Sequence, residues 1–212
     1  MRFRFGASEG SSEAAAVASQ LGYTYSPTDP GNVLGLPFRL FGQGAGRRVS
    51  DFVSGQHLGQ PAQLFGLEGH GEQEPPRGSG IGMSPAGPST LSCAVVGIPA
   101  DFPPISITRH RGSVVLMRDA DEVQFESEEF NRSFRVHCAS EQCAFSLIDG
   151  RMMEWLLTQP IPFVTIELSG PWWFVAMPSI LPSGWPAMLS LYDAFGAHVP
   201  GVALSRFPPR TN

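Results

Sequence analysis

Residues 125–136, Phe-Glu-Ser-Glu-Glu-Phe-Asn-Arg-Ser-Phe-Arg-Val, followed by Arg-Met-Met-Glu-Trp-Leu-Leu at 151–157, form the most densely patterned part of the chain. Ser127 ahead of Glu128 and Glu129 reads as a capped helix start, with acid at the positive end of the macrodipole. That helix should run to about Ser133, and Phe134-Arg135-Val136-His137-Cys138 then reads as a strand. Ser140 is placed to cap a helix through Cys143–Ile148, and Asp149 to cap another, Arg151–Thr158. On the second of these, Met152, Trp155 and Leu156 share a face at the i, i+3, i+4 spacing. A folded core is required here; the pattern names no reaction.

Elsewhere the chain alternates short strands with turns. An Ala-rich stretch closed by Gly22 predicts a helix over Ser12–Leu21, and Tyr23-Thr24-Tyr25 reads as extended. Arg47–Gly55 and Pro61–Glu68 predict a strand pair around the Gly55–Gly59 turn. Ser92–Ile98 and Ile105–His110 read as two strands, with Pro99 and Pro103-Pro104 marking the turn between them. Val114–Met117 suggests a further short strand. Phe163–Leu168 and Trp172–Met177, parted by Ser169-Gly170-Pro171, predict a last hairpin, and Trp185–Phe195 a final amphipathic helix.

Successive hairpins with helices grouped toward the end predict an α+β fold, an antiparallel sheet with helices packed on one face. We read residues 1–212 as one such domain. Residues 69–88, rich in Gly, Pro, Glu and Ser, read as a flexible loop, and residues 200–212 as an irregular tail.

Composition excludes more than it assigns. The chain of 212 residues contains no lysine; its basic residues are 14 arginines. Schiff-base catalysis, pyridoxal-phosphate anchoring and the phosphate-loop lysine therefore have no side chain to act through. A net charge of −5 argues against nucleic-acid binding, which needs clustered cations. No apolar segment follows the Met1–Ser8 start, and the apolar stretch over residues 163–177 is interrupted by Glu167, Gly170 and Pro171. No secretory signal and no transmembrane segment are expected, and the protein reads as cytoplasmic.

Several segments resemble an uncharacterised bacterial domain family. They are Leu21-Gly22-Tyr23-Thr24-Tyr25, the Ser54-Gly55 and Gly59-Gln60-Pro61 turn, the Pro-Pro strand entry, and above all Phe125–Arg132 and Arg151–Leu157. The resemblance lapses over residues 69–88 and 198–202. It implies a folded domain and brings no activity with it.

Candidate chemistry is sparse. Cys138 and Cys143 are spaced C-x4-C, too little for a structural zinc site, and no metal or cofactor is expected. His137 and Cys138, as strand neighbours, point to opposite faces and make no catalytic dyad. No G-x-S-x-G elbow is present, and Gly78-Ser79-Gly80-Ile81-Gly82 lacks the strand, helix and lysine of a phosphate loop. Glu128, Glu129 and Arg132 read first as a surface ion-pair set beside Phe125, Phe130 and Phe134. Arg47-Arg48 and Arg109-His110-Arg111 are small basic spots, where an anionic ligand or lipid headgroup is the functional alternative to solvation.

Trp172 and Trp173 must point to opposite faces of a strand, so one of them faces away from the helices. That aromatic is the best hint of a partner surface, and a covering loop or tail is its structural alternative. The leading expectation is thus a non-catalytic binding or protein-interaction module. A homo-oligomer or a protein partner meeting the aromatic sheet face, at Trp172 and Trp173, is its natural form. The alternative is a small-ligand sensor or enzyme with a pocket around Glu129, Arg132 and His110, covered by the 69–88 loop.

Overall fold

The structure, a computed structural model, describes residues 7–42, 46–70, 88–109, 121–160 and 163–210. Helix α1 (Ala7–Leu21) ends at Gly22, whose φ of 69° suits the left-handed stop that glycine permits. Strand β1 (Thr24–Ser26) follows, then an arm containing a short 3-10 helix (Val33–Gly35) and the single-turn α2 (Arg39–Gly42). Strands β2 (Arg48–His57) and β3 (Gln60–His70) form a hairpin. Leu58 and Gly59, at φ 51° and 77°, make the two-residue left-handed turn that matches strand twist.

The register of β3 with β4 (Pro88–Arg109) runs from Ala62↔Val96 to His70↔Pro88. The expected 69–88 loop thus enters and leaves through a strand pair, and its residues 71–87 lie outside the described residues. After β5 (Glu122–Val123) come α3 (Glu128–Ser133), β6 (Phe134–Cys138), α4 (Glu141–Leu147) and α5 (Gly150–Thr158). Strand β7 (Thr165–Pro178), a 3-10 turn (Pro182–Gly184), α6 (Pro186–His198) and α7 (Gly201–Arg206) complete the chain. The caps read from sequence are in place. Ser127 accepts from the Phe130 N–H at 3.2 Å, Ser140 from the Cys143 N–H at 3.2 Å, and Asp149 from the Met152 N–H at 2.9 Å. The expected irregular tail is corrected over Gly201–Arg206, which is helical, with Ala203 fully buried.

The described strands form one seven-stranded antiparallel sheet in the order β1-β2-β3-β4-β6-β5, with β7 beside β4. The fold is α+β. Two expected hairpins are not there, however. Pro99 and Pro103-Pro104 lie inside the continuous β4 of 22 residues, and Ser169-Gly170-Pro171 lies inside β7 of 14 residues. The two strands pair with each other along their length and bend together, with register shifts between Gly97 and Ile105 opposite Gly170. Gly170 sits at φ 56° at the bend.

The bend also resets alternation. Trp173, Val175 and Met177 face the helices after it, and Ile166 and Leu168 before it, so the apolar side stays on one core through a change of parity. The curl is tight enough that the N–H of Val164, the residue just before β7, donates to the Ala176 carbonyl near the far end of the strand, at 2.8 Å. In a straight strand those groups would be roughly 40 Å apart.

The main core lies between this sheet and α1, α3, α4, α5, α6 and α7. Trp173 is fully buried there, edge-on to Tyr192 with ring centroids 5.4 Å apart. A second, smaller core lies on the reverse face, where the arm lays Val33 and Phe38 over Phe52, Phe65, Val95 and Phe174. Phe38 stacks on Phe174 at 4.8 Å.

Candidate functional site

Beyond the bend the reverse face turns polar. Glu122 on β5, His137 on β6, Ser106 on β4 and Glu167 on β7 are successive register partners, a row of acid, imidazole, hydroxyl and acid across four strands. Directly opposed residues share a face, so pairing alone brings these side chains together. Ser106 is 5% and Glu167 4% exposed, a depth at which polar groups must be satisfied.

The arm satisfies Glu167. Its Oε2 accepts the Arg39 N–H at 2.6 Å and its Oε1 the Leu40 N–H at 3.0 Å. These are the first amides of α2, and Glu167 caps them from another element. Burial pushes the Glu167 carboxyl above its ordinary value, against the two amides and the charges of Arg39 and Arg47.

Arg39 then reaches Asp121, with Nη1 2.9 Å from Oδ2, while Asp121 Oδ1 lies 3.2 Å from His137 Nδ1. Burial alone would raise Asp121, but the His137 hydrogen bond and the Arg39 and His137 charges outweigh it and hold the carboxyl below its usual range. The cleft between the arm and the sheet is about 290 Å³. Arg39, Asp121, His137 and Ser106 form its polar wall, and Phe38, Ile105 and Leu168 its apolar one.

Asp121, His137 and Ser106 have the composition of a hydrolytic relay, but not its connections. The Ser106 hydroxyl lies 3.4 Å from those of Thr108 and Thr165, which are themselves 3.3 Å apart. Ser106 therefore belongs to a hydroxyl cluster rather than to a nucleophile–base pair. Among the described residues no group of three or more His, Cys, Asp and Glu is arranged to hold a metal ion.

The residues singled out from sequence lie elsewhere. Arg132 Nη2 pairs with Glu128 Oε2 at 2.6 Å, the two side chains being 76% and 82% exposed, and Glu129 is exposed as well. Neither Glu129 nor Arg132 lines the cleft. His110 lies outside the described residues. Trp172 and Trp173 do point to opposite faces: Trp173 is in the main core, and Trp172, half-buried, faces away from the helices and packs against the second core.

Arg47 and Arg48 line a separate cleft of about 440 Å³ together with Asp29. The Arg109 guanidinium carbon is 4.9 Å from the Phe134 ring centroid and 5.1 Å from that of Phe163, and Nη2 donates to the Leu156 carbonyl at 3.3 Å. Arg109 thus braces the end of α5. The cleft residues were missed in sequence, although one signal was present: Glu167 is the lone acid in an otherwise apolar strand.

No family model matches the chain, and no curated protein matches it. Among solved structures, the chain is similar to the crystal structure of the mycobacterial trehalose monomycolate transport factor A, TtfA. The TM-score is 0.67 at 15% identity, over 96% of this chain and 98% of that one. At that identity the likeness concerns the fold alone, and it runs from end to end.

Proposed function

We propose that the protein is a non-catalytic accessory module that binds a protein partner at the cleft around Arg39, Asp121 and His137. The observation that carries this reading is how the cleft's polar groups are engaged. Glu167 is committed to the arm's amides, Asp121 is shared by Arg39 and His137, and Ser106 sits among hydroxyls. Such a surface is preorganised for recognition rather than for proton transfer.

Size points the same way. At about 290 Å³ the cleft is at the floor of the range for small-molecule sites, roughly 300–1,000 Å³, and suits one or two side chains of a partner. A fold shared end to end with a transport factor supports an accessory role.

The test is native mass spectrometry of the full chain purified from its own host, beside an Arg39→Ala, His137→Ala double variant. A stoichiometric protein partner that is lost from the double variant supports the reading. A retained small molecule, or a partner that the double variant keeps, contradicts it.

A further inference from the structure

Strand β1 covers only part of β2. Its residues pair with Phe52, Val53 and Ser54, and the chain then leaves the sheet at Pro27, which has no N–H to continue the ladder. A register shift between Ser50 and Val53, with Asp51 at φ 52°, bends β2 at the same level. Before the bend, Arg48, Val49 and Ser50 have Glu68, Leu67 and Gly66 of β3 as strand partners on one side and, among the described residues, none on the other. An edge of this kind presents backbone donors and acceptors with which a further strand can pair.

The edge forms one wall of the cleft of about 440 Å³. Four consecutive residues, Arg47 to Ser50, line it, although consecutive side chains of an extended chain point to opposite faces. The cleft is therefore entered along the sheet plane, from the edge. Pro27 to Asp29 and Leu34 form the opposite wall. That wall is braced from within: Asp29 Oδ1 accepts the Gly31 N–H at 2.8 Å and Oδ2 the Val33 N–H at 2.5 Å, and Ser26 Oγ donates to the Thr28 carbonyl at 2.6 Å. The slot is thus preorganised, which lowers the cost of filling it.

Charge selects the occupant. Val49 points into the second core, so Arg48 points to the helix face by alternation. Arg47 lies to the reverse side, near enough to Glu167 for its charge to act on that carboxyl. The edge thus carries one arginine above the sheet plane and one below it. Asp29, the acid among the lining residues, is engaged by two amides. Arg48 is 76% exposed and meets Glu68 at 3.7 Å, an exposed pair that yields to another acid at little cost.

We infer that this edge takes an extended segment of a partner protein with two consecutive acidic residues, added to β2 as a continuation of β1. Backbone pairing with Arg48–Ser50 supplies the affinity. The two acids, alternating across the added strand, reach Arg48 on one face and Arg47 on the other. The contact is separate from the cleft around Arg39 and does not rest on that reading.

The test is an amide NMR titration of the full-length protein at low salt with the blocked peptide acetyl-Val-Glu-Glu-Val-amide. Saturable shifts are expected at the Arg48, Val49 and Ser50 amides, with binding at least about three-fold weaker for acetyl-Val-Gln-Gln-Val-amide. Arg48→Gln, a change at an exposed side chain, should narrow that difference. The acidic peptide N-methylated at both glutamates keeps its charges, loses those donors and should not bind. Equal affinity for the first two peptides overturns the inference. Binding of the N-methylated peptide, or of inorganic phosphate as tightly as the acidic peptide, also overturns it and makes the edge a simple anion site. Shifts at these amides that follow protein concentration without peptide overturn it in favour of a second copy of the chain.

Discussion

The Glu167 carboxylate on β7 accepts the backbone N–H of Arg39 at 2.6 Å, across 128 residues of chain. With the Leu40 N–H beside it, this fastens an arm that is also held by the Arg39–Asp121 ion pair and by aromatic packing of Phe38 and Phe41 on Phe174. Removing the acceptor strands two amides beside a buried site. Glu167→Ala should cost about 1–3 kcal/mol in urea denaturation. Glu128→Ala, which breaks only the exposed pair to Arg132, should cost under about 0.5 kcal/mol.

The two cleft acids should respond to pH with opposite sign. Asp121 is held below its ordinary value, so its contribution is present above that value and lost as pH falls through the lower folded one. Glu167 is raised, so its contribution is full below the ordinary glutamate value and declines as pH rises through the folded one. In thermal melts from about pH 3 to 7, wild type should lose its advantage over Asp121→Asn toward the acid end. Its stability relative to Glu167→Gln should instead fall toward the neutral end.

Asn131 reads in sequence as an ordinary helix-surface residue, yet its side chain brackets Phe125. Its Oδ1 accepts the Phe125 N–H at 3.0 Å and its Nδ2 donates to the Phe125 carbonyl at 2.7 Å. This holds the segment entering α3 and seats Phe125 against Phe130, ring centroids 5.3 Å apart. Asn131→Ala should destabilise by about 1–3 kcal/mol, and Asn131→Asp, which keeps only the acceptor, should not restore it. Equilibrium unfolding of the two variants checks this.

Gly170 carries the bend of β7 at φ 56°. A Cβ there would meet only Asp101 Oδ1 at 3.5 Å, an ordinary contact, so the cost of a substitution is backbone strain. Gly170→Ala should lose about 1–2 kcal/mol and Gly170→Asn less, since asparagine tolerates the left-handed region. Denaturant midpoints of the pair separate strain from crowding.

What was legible in the sequence was local. Ser127, Ser140 and Asp149 cap helices through bonds to residues three positions on, so their spacing alone carries the signal. The bends were not legible, because Pro103-Pro104 and Ser169-Gly170-Pro171 carry the same residues as hairpin turns. Only the pairing of β4 with β7 on both sides of the bend decides between them. The site failed to show for the same reason. Glu167 reads as an interruption of an apolar run until the arm, far away in sequence, is laid on it. Trp172 and Trp173 alternate as their strand requires, but whether a face is bare depends on what covers it, and that is again the arm.

The central claim is that Glu167 pins the arm and the pinned arm makes the cleft. Hydrogen–deuterium exchange of Glu167→Ala against wild type tests it most directly, read at the Arg39 and Leu40 amides. The account predicts that these amides lose protection along with the rest of the arm, while the β4–β7 ladder keeps its protection. Unchanged protection at Arg39 and Leu40 would contradict it.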